Sequence, residues 1–500
     1  MTHAAGPGVA RLTTEQLAAI ASPLERIFIE AEPGSGKTTV AALRFGALRF
    51  GTAAAIRQSQ DPRAVIGLSF TRSATAELRG RVLEEWGRPA LRRPHRVVTI
   101  DTLIYELVQY LLVTGTINWP GGFTALDVRD SWASAVKVKW GGAARWLDLA
   151  GADVVIKRAW TSKERRPVPT EFEEAINEGI CTHDDVRLVL EAAITRSAVR
   201  SMLTERLKAT VRAAIIDEIF DGNRLDLNVV VLLMHAGVQV TLVGDPWQAL
   251  YGFRGAKPDL VPDLLRQTAT ASLRLSATFR WKQDEQRNLA DALRAGAAVT
   301  LPQGSASHVD VVLAPTWNAL WKADVSILPL AFGSFKGTIP EAAATLLLSC
   351  MSRRHVLEES PFVSDALSAL KIDAADFATD AEAGLHQILE LLRETGKEPL
   401  NDAYMALVDL LSPLSDVTHP KPHFRYRDRL GLIRDRLRFD GQLVLGMTAH
   451  QAKGREWDVV GVALTPEERA TLAVGISSAH EPERQLYVAC TRARSRTCEV

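Results

Sequence analysis

Apolar positions along the chain fall into two alternating patterns. Short continuous runs rich in β-branched residues predict strands that are buried on both faces of a parallel sheet. Longer stretches, in which apolar residues recur every three or four positions, predict helices that pack against such a sheet. Strand-like runs lie at 26–31, 64–70, 96–100, 213–217, 238–245, 308–314, 325–331, 442–446 and 458–463. The alternation predicts an α/β protein with two parallel sheets.

Two long stretches with a mainly helical pattern interrupt these strand series. A chain of 500 residues has room for two or more domains, each with its own core. The predicted order is a first core at 1–105, a helical insertion at 106–208, the first core continued at 209–273, a second core at 274–355, a reduced helical insertion at 356–438 and the second core continued at 439–500.

Composition and charge narrow the class of protein. The 59 basic and 59 acidic residues give a formal net charge of zero, so any nucleic-acid surface must be a local groove. The four cysteines are widely separated and form no C-x-x-C pair, which argues against a metal cluster and fits a reducing cytoplasm. The amino terminus lacks the pattern of a signal peptide, and no uncharged apolar run reaches the ~18 residues of a membrane span. We therefore expect a cytoplasmic protein without a membrane partner.

A glycine-rich segment joins the first predicted strand to a predicted helix. Residues 31–38 read Ala-Glu-Pro-Gly-Ser-Gly-Lys-Thr, which matches G-x-x-x-x-G-K-[ST] except that Ala31 replaces the first glycine. Such a turn points backbone N–H groups into one concavity at the positive end of a helix. Lys37 can then reach the outer phosphates of a nucleotide, and the Thr38 hydroxyl can bind Mg²⁺. A chance glycine-rich turn does not account for the strand, the Lys-Thr pair and the helix together, so the segment predicts a nucleoside triphosphate site.

Two acidic residues, Asp217 and Glu218, follow another predicted strand. At the carboxyl end of a strand in an open α/β sheet, side chains face the ligand crevice. One carboxylate can hold Mg²⁺ through water while the other positions an attacking water. Two consecutive acids also occur in ordinary solvated loops, and it is the phosphate loop elsewhere in the chain that favours the catalytic interpretation.

The segment 243–256 begins at a strand end and continues with an acid, an amide and interleaved aromatic and basic residues. Gln248 is suited to sense a γ-phosphate or its water. Tyr251, Phe253 and Arg254 offer flat faces and a cation, which hold the bases and phosphates of single strands. The alternative is that both aromatic rings belong to the core.

Two further segments near the carboxyl terminus are rich in arginine. Arg492 follows an apolar segment, and an arginine supplied by another domain can neutralise charge on a transferring phosphoryl group. An ordinary surface ion pair is the alternative. The most basic stretch, 421–438, predicts either phosphate contacts with duplex DNA or a solvated helix that pairs with its own acids.

Taken in order, these segments resemble the motifs of the UvrD/Rep/PcrA-like superfamily 1 helicases. The resemblance runs from about residue 11 to residue 496 and leaves only the two insertions undescribed. It implies two RecA-like P-loop domains built on parallel sheets. The segments that carry it are 12–16, 31–38, 70–78, 217–218, 243–256, 275–280, 447–458 and 483–494.

The resemblance implies that ATP and Mg²⁺ are bound and that ATP is hydrolysed in a cleft between the two cores. Lys37, Thr38, Asp217 and Glu218 would bind and hydrolyse ATP, with Thr38 and Asp217 on the metal. The remaining nucleotide contacts implied are Gln16 on adenine, Gly34, Ser35, Gly36 and Thr39 in the loop, Phe279 stacking on the base, Glu456 on the ribose, Gln248 as a relay of nucleotide state, and Arg280 and Arg492 as arginine fingers.

The resemblance further implies that the protein is an ATP-dependent translocase or helicase acting on single-stranded or tailed DNA. The polarity implied by the family is 3′ to 5′. RNA stays open as a track, because stacking platforms tolerate either sugar. The residues implied on the strand track are Phe70, Thr71, Thr99, Tyr251, Phe253, Arg254, Thr448 and His450.

Three positions depart from the family pattern. Phe220 stands where Asp-Glu-x-Gln-Asp has glutamine, Asp101 where Thr-x-His-Ser has histidine, and Thr39 where many members have arginine. Because Phe220 cannot make the hydrogen bonds of an amide, we expect weakened phosphate sensing. The alternative function is therefore a nucleotide-regulated DNA-binding or sensor subunit with weak ATPase and little unwinding.

The short second insertion and the early carboxyl terminus make a compact layout. This layout resembles the UvrD-like subunit of the Gabija antiphage defence system, which implies an OLD-family nuclease as a partner. A third class, a P-loop kinase or other small-molecule enzyme, leaves the segment 243–256 unexplained.

Overall fold

The computed structural model describes residues 12–51, 61–132, 135–373, 377, 381–394, 396, 398–415, 417 and 424–500, with the side chains of Trp140, 161–165, Phe253 and 424–426 outside that description. The chain divides into two compact units, of which the first ends at Phe279 and the second begins at Arg280. The boundary suggested by the sequence lies at 273/274, inside the last strand of the first unit.

A six-stranded parallel sheet forms the centre of the first unit. The strands of this unit are β1 (Arg26–Ala31), β2 (Ala64–Ser69), β3 (Arg96–Thr99), β4 (Asp127–Arg129), β5 (Val138–Ala150), β6 (Asp153–Pro167), β7 (Ile180–Thr182), β8 (Val211–Ile216), β9 (Gln239–Gly244) and β10 (Ala271–Leu275). The strand order of the central sheet is β10-β1-β9-β8-β2-β3, and all five neighbouring pairs are parallel.

Helices cover both faces of this sheet because its strands are apolar on both sides. In β1, Ile27 and Ile29 pack with Phe45 of the helix that follows, whereas Phe28 lies in the core cluster of the opposite face. The α-helices described in this unit are Thr14–Ala21, Lys37–Phe50, Arg72–Trp86, Ile100–Val113, Pro169–Asn177, His183–Ala193, Ser197–Thr210, Arg224–His235 and Val261–Gln267.

The first insertion contains a long hairpin in addition to its helices. Strands β5 and β6 pair antiparallel through a turn at Gly151, whose φ is 62°. The sequence pattern predicts a mainly helical insertion and does not predict this hairpin. The local signal for the hairpin is the β-branched run 154–156. Charged residues interspersed along both strands obscure the alternation by which a half-buried strand is usually recognised.

The second unit contains the strands β11 (Val311–Ala314), β12 (Ile327–Pro329), β13 (Val444–Thr448), β14 (Trp457–Val462) and β15 (Ala493–Glu499). They form a five-stranded parallel sheet of order β12-β13-β11-β14-β15, which confirms the predicted pair of parallel-sheet cores. The described α-helices are Asp284–Arg294, Trp317–Lys322, Ile339–Val356, Val363–Leu370, Glu382–Leu392, Glu398–Leu411, Phe424–Leu437, Ala449–Ala452, Pro466–Val474 and Glu481–Cys490.

The described residues of the second insertion form helices joined by turns and loops, with no strand among them. The helix Phe424–Leu437 lies within the basic stretch 421–438, of which residues 421–423 are outside the described part of the chain.

Candidate nucleotide site and strand surface

Three adjacent strands of the first sheet end at candidate residues. The phosphate loop follows β1, Asp217 follows β8, and Asp245 follows β9. These strands are neighbours in the order β1-β9-β8 and all run parallel, so their carboxyl ends meet at one edge of the sheet. The fold therefore gathers segments that lie about 180 to 210 residues apart in sequence, as expected for the ligand edge of an open α/β sheet.

Two glycines of the phosphate loop are needed for its backbone shape. Gly34 and Gly36 have φ of 74° and 80°, in the left-handed region that other residues rarely adopt. A Cβ on Gly36 would also lie 3.1 Å from Nε2 of Gln16, which is closer than a side chain tolerates without movement of its neighbour.

Three consecutive carbonyl groups of the loop accept hydrogen bonds from other segments. The Thr278 hydroxyl donates to Pro33 O at 3.0 Å, Phe279 N donates to Gly34 O at 2.9 Å, and Gln16 Nε2 donates to Ser35 O at 2.9 Å. These three hydrogen bonds tie the carbonyl oxygens of the loop to other segments of the first unit.

The N–H groups at the start of the next helix can bind an anionic ligand. Helix Lys37–Phe50 begins after Gly36, which has no side chain to cap it, so its first-turn N–H groups lack partners within the helix. Lys37, Thr38 and Thr39 contribute these groups, and the positive end of the helix favours an anion there.

Lys37 is paired with an acidic residue of the same edge. Its Nζ lies 3.0 Å from Glu218 Oε1, with side chains only 11% and 17% exposed. Glu218 has φ 58° and ψ 47°, a left-handed conformation that is strained for a residue with a Cβ and typical of functional sites. The neighbouring Asp217 is buried, and its Oδ1 accepts a hydrogen bond from Glu218 N at 3.1 Å.

Burial and the adjacent carboxylate of Glu218 raise the pKa of Asp217 to about 7, although the Lys37 cation opposes the shift. Desolvation, followed by the charge of Glu218, also raises the pKa of Glu77. Glu77 lies on helix Arg72–Trp86, which begins three residues after the adjacent strand β2. Glu77 belongs to the segment 70–78 that resembles a family motif, but the sequence predicts no role for it at the nucleotide site.

The residues present fit a Mg²⁺ ion that is held mainly by nucleotide phosphates. Thr38 and Asp217 provide a hydroxyl and a carboxylate, the hard oxygen ligands that Mg²⁺ prefers, and this ion is commonly held by one or two carboxylates plus phosphate oxygens. Within the described ranges, no group of three or more His, Cys, Asp and Glu is arranged to hold a metal alone. A bound cation would also favour the ionised form of Asp217, which burial disfavours.

Gln248 is fixed at the end of the neighbouring strand by Asp245. Both side chains are buried, and Gln248 Nε2 donates to Asp245 Oδ2 at 2.8 Å. The other oxygen of Asp245 accepts a hydrogen bond from Trp247 N at 3.1 Å. These contacts hold the amide in one orientation at the same sheet edge as Lys37.

Phe220, which replaces the family glutamine, lies in the core beside this edge. Its ring packs edge-on against Phe28, with centroids 5.9 Å apart and planes at 73°. A Cβ on Gly244 would lie 2.9 Å from Phe220 Cδ2, so the ring occupies the space beside that glycine. The aromatic ring therefore serves packing, and the polar group of the family pattern has no counterpart at this position.

Two of the residues predicted to contact the DNA strand lie at the start of helices. The hydroxyl oxygen of Thr71 accepts a hydrogen bond from Ala74 N at 3.1 Å, and that of Thr99 accepts one from Thr102 N at 3.3 Å. They are N-caps of the helices after β2 and β3, so the hydroxyls already have a structural use. Phe70 is half-buried against the first core.

Asp101, which replaces the family histidine, forms an ion pair with Arg187 of the first insertion. Arg187 also pairs with Asp226, which itself receives a hydrogen bond from Asn223 N at 2.8 Å. The position where the family has a histidine thus joins the insertion to the core of the first unit.

Tyr251 and Arg254 form a compact aromatic and basic pair after Gln248. The Arg254 guanidinium lies over the Tyr251 ring, 5.2 Å from its centroid. The turn ends at Gly255, whose φ of 83° requires glycine. Phe253 belongs to the 3₁₀ helix Gly252–Arg254 that forms this turn, and its side chain lies outside the described part of the structure.

In the second unit, candidate residues from three segments lie together. Arg280 Nη1 donates to Thr491 O at 2.9 Å, and Arg280 Nε lies 3.3 Å from Glu456 Oε2. Arg492 is fully buried, and its Nε donates to Val488 O at 3.1 Å. The main chain closes this group, because Trp457 N donates to Arg492 O at 3.2 Å.

Thr448 and His450 occupy the end of β13 and the short helix after it. The Thr448 hydroxyl donates to Gln451 Oε1 at 3.0 Å within a capping box. His450 Nε2 lies 3.7 Å from Glu481 Oε1. The structure thus places both residues at the carboxyl edge of the second sheet.

Comparison with known families matches residues 12–139 and 171–268 to the UvrD/REP helicase N-terminal domain. The matched ranges contain the phosphate loop, both strand-end acids and the segment 243–256. The unmatched interval between them corresponds to most of the β5–β6 hairpin. No helix in the described part of the chain is both long and apolar enough to cross a membrane.

Two curated relatives carry helicase names. UvrD2 of Mycobacterium tuberculosis, an ATP-dependent DNA helicase, is 24% identical over an alignment that covers 99% of this chain and 79% of the relative. YjcD of Bacillus subtilis, also named as an ATP-dependent DNA helicase, is 23% identical over an alignment that covers 54% of this chain and 36% of YjcD. This chain therefore spans only about a third of the length of YjcD. The solved structure of unliganded Pif1 from Bacteroides sp. aligns with 62% of this chain and 54% of Pif1, at 13% identity and a TM-score of 0.29.

Proposed function

Because the first unit of this chain carries a UvrD/REP helicase N-terminal domain, we propose that the protein is an ATP-dependent DNA translocase or helicase. It would hydrolyse ATP with Mg²⁺ and use the energy to move along a single strand of DNA. By analogy with the family, movement would run from 3′ to 5′. The named DNA helicase activity of UvrD2 and YjcD supports the proposal.

The observation that carries this proposal is the convergence at the carboxyl edge of the first sheet. One edge brings together the phosphate loop, the Lys37–Glu218 ion pair, the buried Asp217 and the Asp245–Gln248 pair. Phosphoryl transfer to water requires a loop that binds phosphate, a candidate base, a metal ligand and an amide near the reacting group.

The proposed steps follow from the contacts of these side chains. Phosphate oxygens would take Lys37 from Glu218, which would free that carboxylate to orient the attacking water. Bound Mg²⁺ would supply charge neutralisation to the phosphates from Thr38 and Asp217. Arg280 and Arg492 of the second unit would neutralise the charge that develops on the transferring group.

The single strand of DNA would be held by the segment that follows Gln248. Tyr251 with its overlying Arg254 provides a stacking face and a cation within four residues of the amide. Gln248 is joined to that face by a short stretch of main chain, so a change at the nucleotide edge can reach the strand surface. Phe70 and the caps Thr71 and Thr99 would extend the surface along the ends of β2 and β3.

The test is ATP hydrolysis with and without a single-stranded oligonucleotide, followed in parallel with strand displacement on 3′-tailed and 5′-tailed duplexes. We expect stimulation of hydrolysis by the single strand and displacement on the 3′-tailed substrate. Hydrolysis that no nucleic acid stimulates would overturn the motor. Displacement on the 5′-tailed substrate alone would reverse the polarity and leave the motor in place.

A second candidate function is favoured by the packing of Phe220. With an aromatic ring in place of the family amide, the protein would act as a nucleotide-regulated DNA-binding subunit that hydrolyses ATP slowly. Nucleotide-dependent DNA affinity without strand displacement would support this candidate. The narrower resemblance to the Gabija subunit, with its OLD-family nuclease partner, stays a prediction because it rests on the layout of the chain alone.

A further inference from the structure

The amino edge of the first sheet carries a concentration of basic side chains. Strands β2, β3 and β8 begin at this edge, and the helices that precede them end there, so it lies opposite the edge that carries the phosphate loop. In a chain whose formal net charge is zero, such a concentration is a local feature. The basic residues at this edge are Arg49, Arg63, Arg88, Arg92, Arg93, Arg96, Arg206, Lys208 and Arg212.

Some of these cations have structural partners. Arg212 Nη2 donates to Arg49 O at 3.4 Å, and Arg63 Nη1 donates to Lys208 O at 3.3 Å. Both bonds reach carbonyl groups in the last turns of helices, where a positive charge is favourable. Arg63 also pairs with Asp61, and Arg96 pairs with Glu106. Helix capping and ion pairing account for these three arginines.

Capping and pairing do not account for Arg88, Arg92 and Arg93. All three are exposed, and within the described part of the chain none of their guanidinium groups has a hydrogen bond or an ion pair. They lie on one connection, residues 88–96, that holds four arginines and a histidine but no acidic residue. A connection that only needed solubility would not require arginine at three neighbouring exposed positions.

A fourth arginine is brought beside this connection by aromatic packing. The Arg49 guanidinium lies over the Phe50 ring, 5.0 Å from its centroid, and that ring lies 5.8 Å from the ring of Trp86. Trp86 is the last residue of the helix that leads into Arg88. We call Arg49, Arg88, Arg92 and Arg93 together the arginine rim.

The histidine on this connection adds no charge to the rim. His95 is buried, and its Nδ1 accepts a hydrogen bond from Val65 N at 2.9 Å. Burial, Arg49 and Arg212 lower the pKa of His95 to about 4. The positive charge of this surface therefore comes from guanidinium groups, which keep it at any pH at which the protein is folded.

We propose that the arginine rim binds the phosphate backbone of double-stranded DNA. Guanidinium groups form paired hydrogen bonds with phosphate oxygens and so suit a polyanion better than a single ion. The Phe50 ring already contacts Arg49 and Trp86, so the rim provides phosphate contacts rather than a platform for unpaired bases. The proposal adds a duplex contact on the edge of the first sheet away from Tyr251 and Arg254, and it does not depend on nucleotide hydrolysis.

The experiment measures binding of a fluorescent blunt duplex and a fluorescent single strand to the full chain over a salt series without nucleotide. For Arg88→Ala/Arg92→Ala we expect about 10-fold weaker duplex binding at low salt. The slope of log K against log salt should become shallower by about 1.8, since each lost phosphate contact removes about 0.9. Binding of the single strand should be unchanged, because it uses the opposite edge.

The matched control is Arg354→Ala/Arg393→Ala, which removes the same charge from exposed arginines of the second unit that pair with Glu390. This control should keep the wild-type duplex affinity and the wild-type slope of log K against log salt. The variant Arg88→Lys/Arg92→Lys should also keep the wild-type slope. If Arg88→Ala/Arg92→Ala binds duplex like this control, the DNA proposal is wrong and an acidic protein surface becomes the candidate partner. Lys37→Ala should bind duplex normally, so failure of the rim and failure of the nucleotide site are separable.

Discussion

The two units hold their candidate nucleotide residues in different ways. In the first unit, Lys37 is balanced by Glu218, and Asp217 is buried beside this pair. In the second unit, Arg280 and Arg492 each donate to a main-chain carbonyl, and Arg280 is also paired with the carboxylate of Glu456. The first group contains a buried ion pair whose charges can exchange partners, whereas both arginines of the second group are oriented by hydrogen bonds to main-chain carbonyl oxygens.

This difference indicates a division of work. A ligand that replaces Glu218 on Lys37 exchanges one ion pair for another, which is a binding step. An arginine already oriented by carbonyl groups needs no rearrangement to stabilise charge that appears only in the transition state. We therefore expect changes in the first unit to alter nucleotide affinity and changes in the second unit to alter the rate.

The largest effect is expected from Lys37→Ala, which should abolish measurable ATP hydrolysis and weaken nucleotide binding. The substitution removes the cation for the phosphates and takes the Lys37 ammonium away from the largely buried Glu218 carboxylate. Titration calorimetry and a phosphate-release assay measure the two losses. Lys322→Ala, an exposed lysine of the second unit, is the control and should match wild type. If Lys37→Ala hydrolysed ATP at the wild-type rate, the proposed role of the first unit in nucleotide binding would be wrong.

Arg492→Ala should keep most of the affinity for ATP but lower kcat by about 10³–10⁵, the usual effect of losing an arginine finger. Because Arg492 is fully buried, the loss of its packing needs a separate check. A thermal melt and the variant Arg492→Lys provide it, since lysine keeps the charge and most of the chain but not the fork of the guanidinium. Lower affinity at an unchanged kcat would contradict the proposed division of work.

Phe220→Gln restores the family residue and tests which role this position has. We expect it to lower the free energy of unfolding by roughly 3 kcal/mol, because an amide replaces a ring packed on Phe28 and Gly244. Phe279→Gln, at an aromatic residue that is 58% exposed, is the control for stability. A stable Phe220→Gln variant with faster hydrolysis would show that the position belongs to the site and not to the core.

The smallest effect is a pH-dependent change in stability from Asp217→Asn. Its folded pKa of about 7 lies above the unfolded value near 4, so the wild-type chain loses stability as pH rises between these values. Asparagine stays neutral, so the variant without ligand should melt a few degrees higher than wild type at pH 8 and equally below pH 4. Identical melting curves at pH 8 would mean that Asp217 carries no penalty for its charge.

Much of the fold could be predicted from local pattern. The strands β1 and β9 are short β-branched runs, and the Gly-Lys-Thr segment after β1 fixes the start of the next helix. Asp217 and Asp245 could be placed at one edge because parallel strands present their carboxyl ends together. The hairpin β5–β6 escaped prediction because charged residues interrupt its apolar alternation.

The packing of side chains could not be read from the same patterns. Nothing local to Phe220 says that its ring faces Phe28, and nothing local to Asp101 names Arg187 as its partner. The carbonyl bonds of the phosphate loop join it to residues 16 and 278–279, and such pairings depend on the whole sheet. Motif recognition names functional positions, but their partners come from tertiary structure.

The bond from Phe279 N to Gly34 O has a mechanical consequence. Phe279 is the last residue of the first unit, and Arg280, the first residue of the second, is held by Thr491 and Glu456. Two consecutive residues are thus each hydrogen-bonded within their own unit. A displacement of Gly34 on phosphate binding would be transmitted through this hydrogen bond to Phe279, the residue at which the first unit ends.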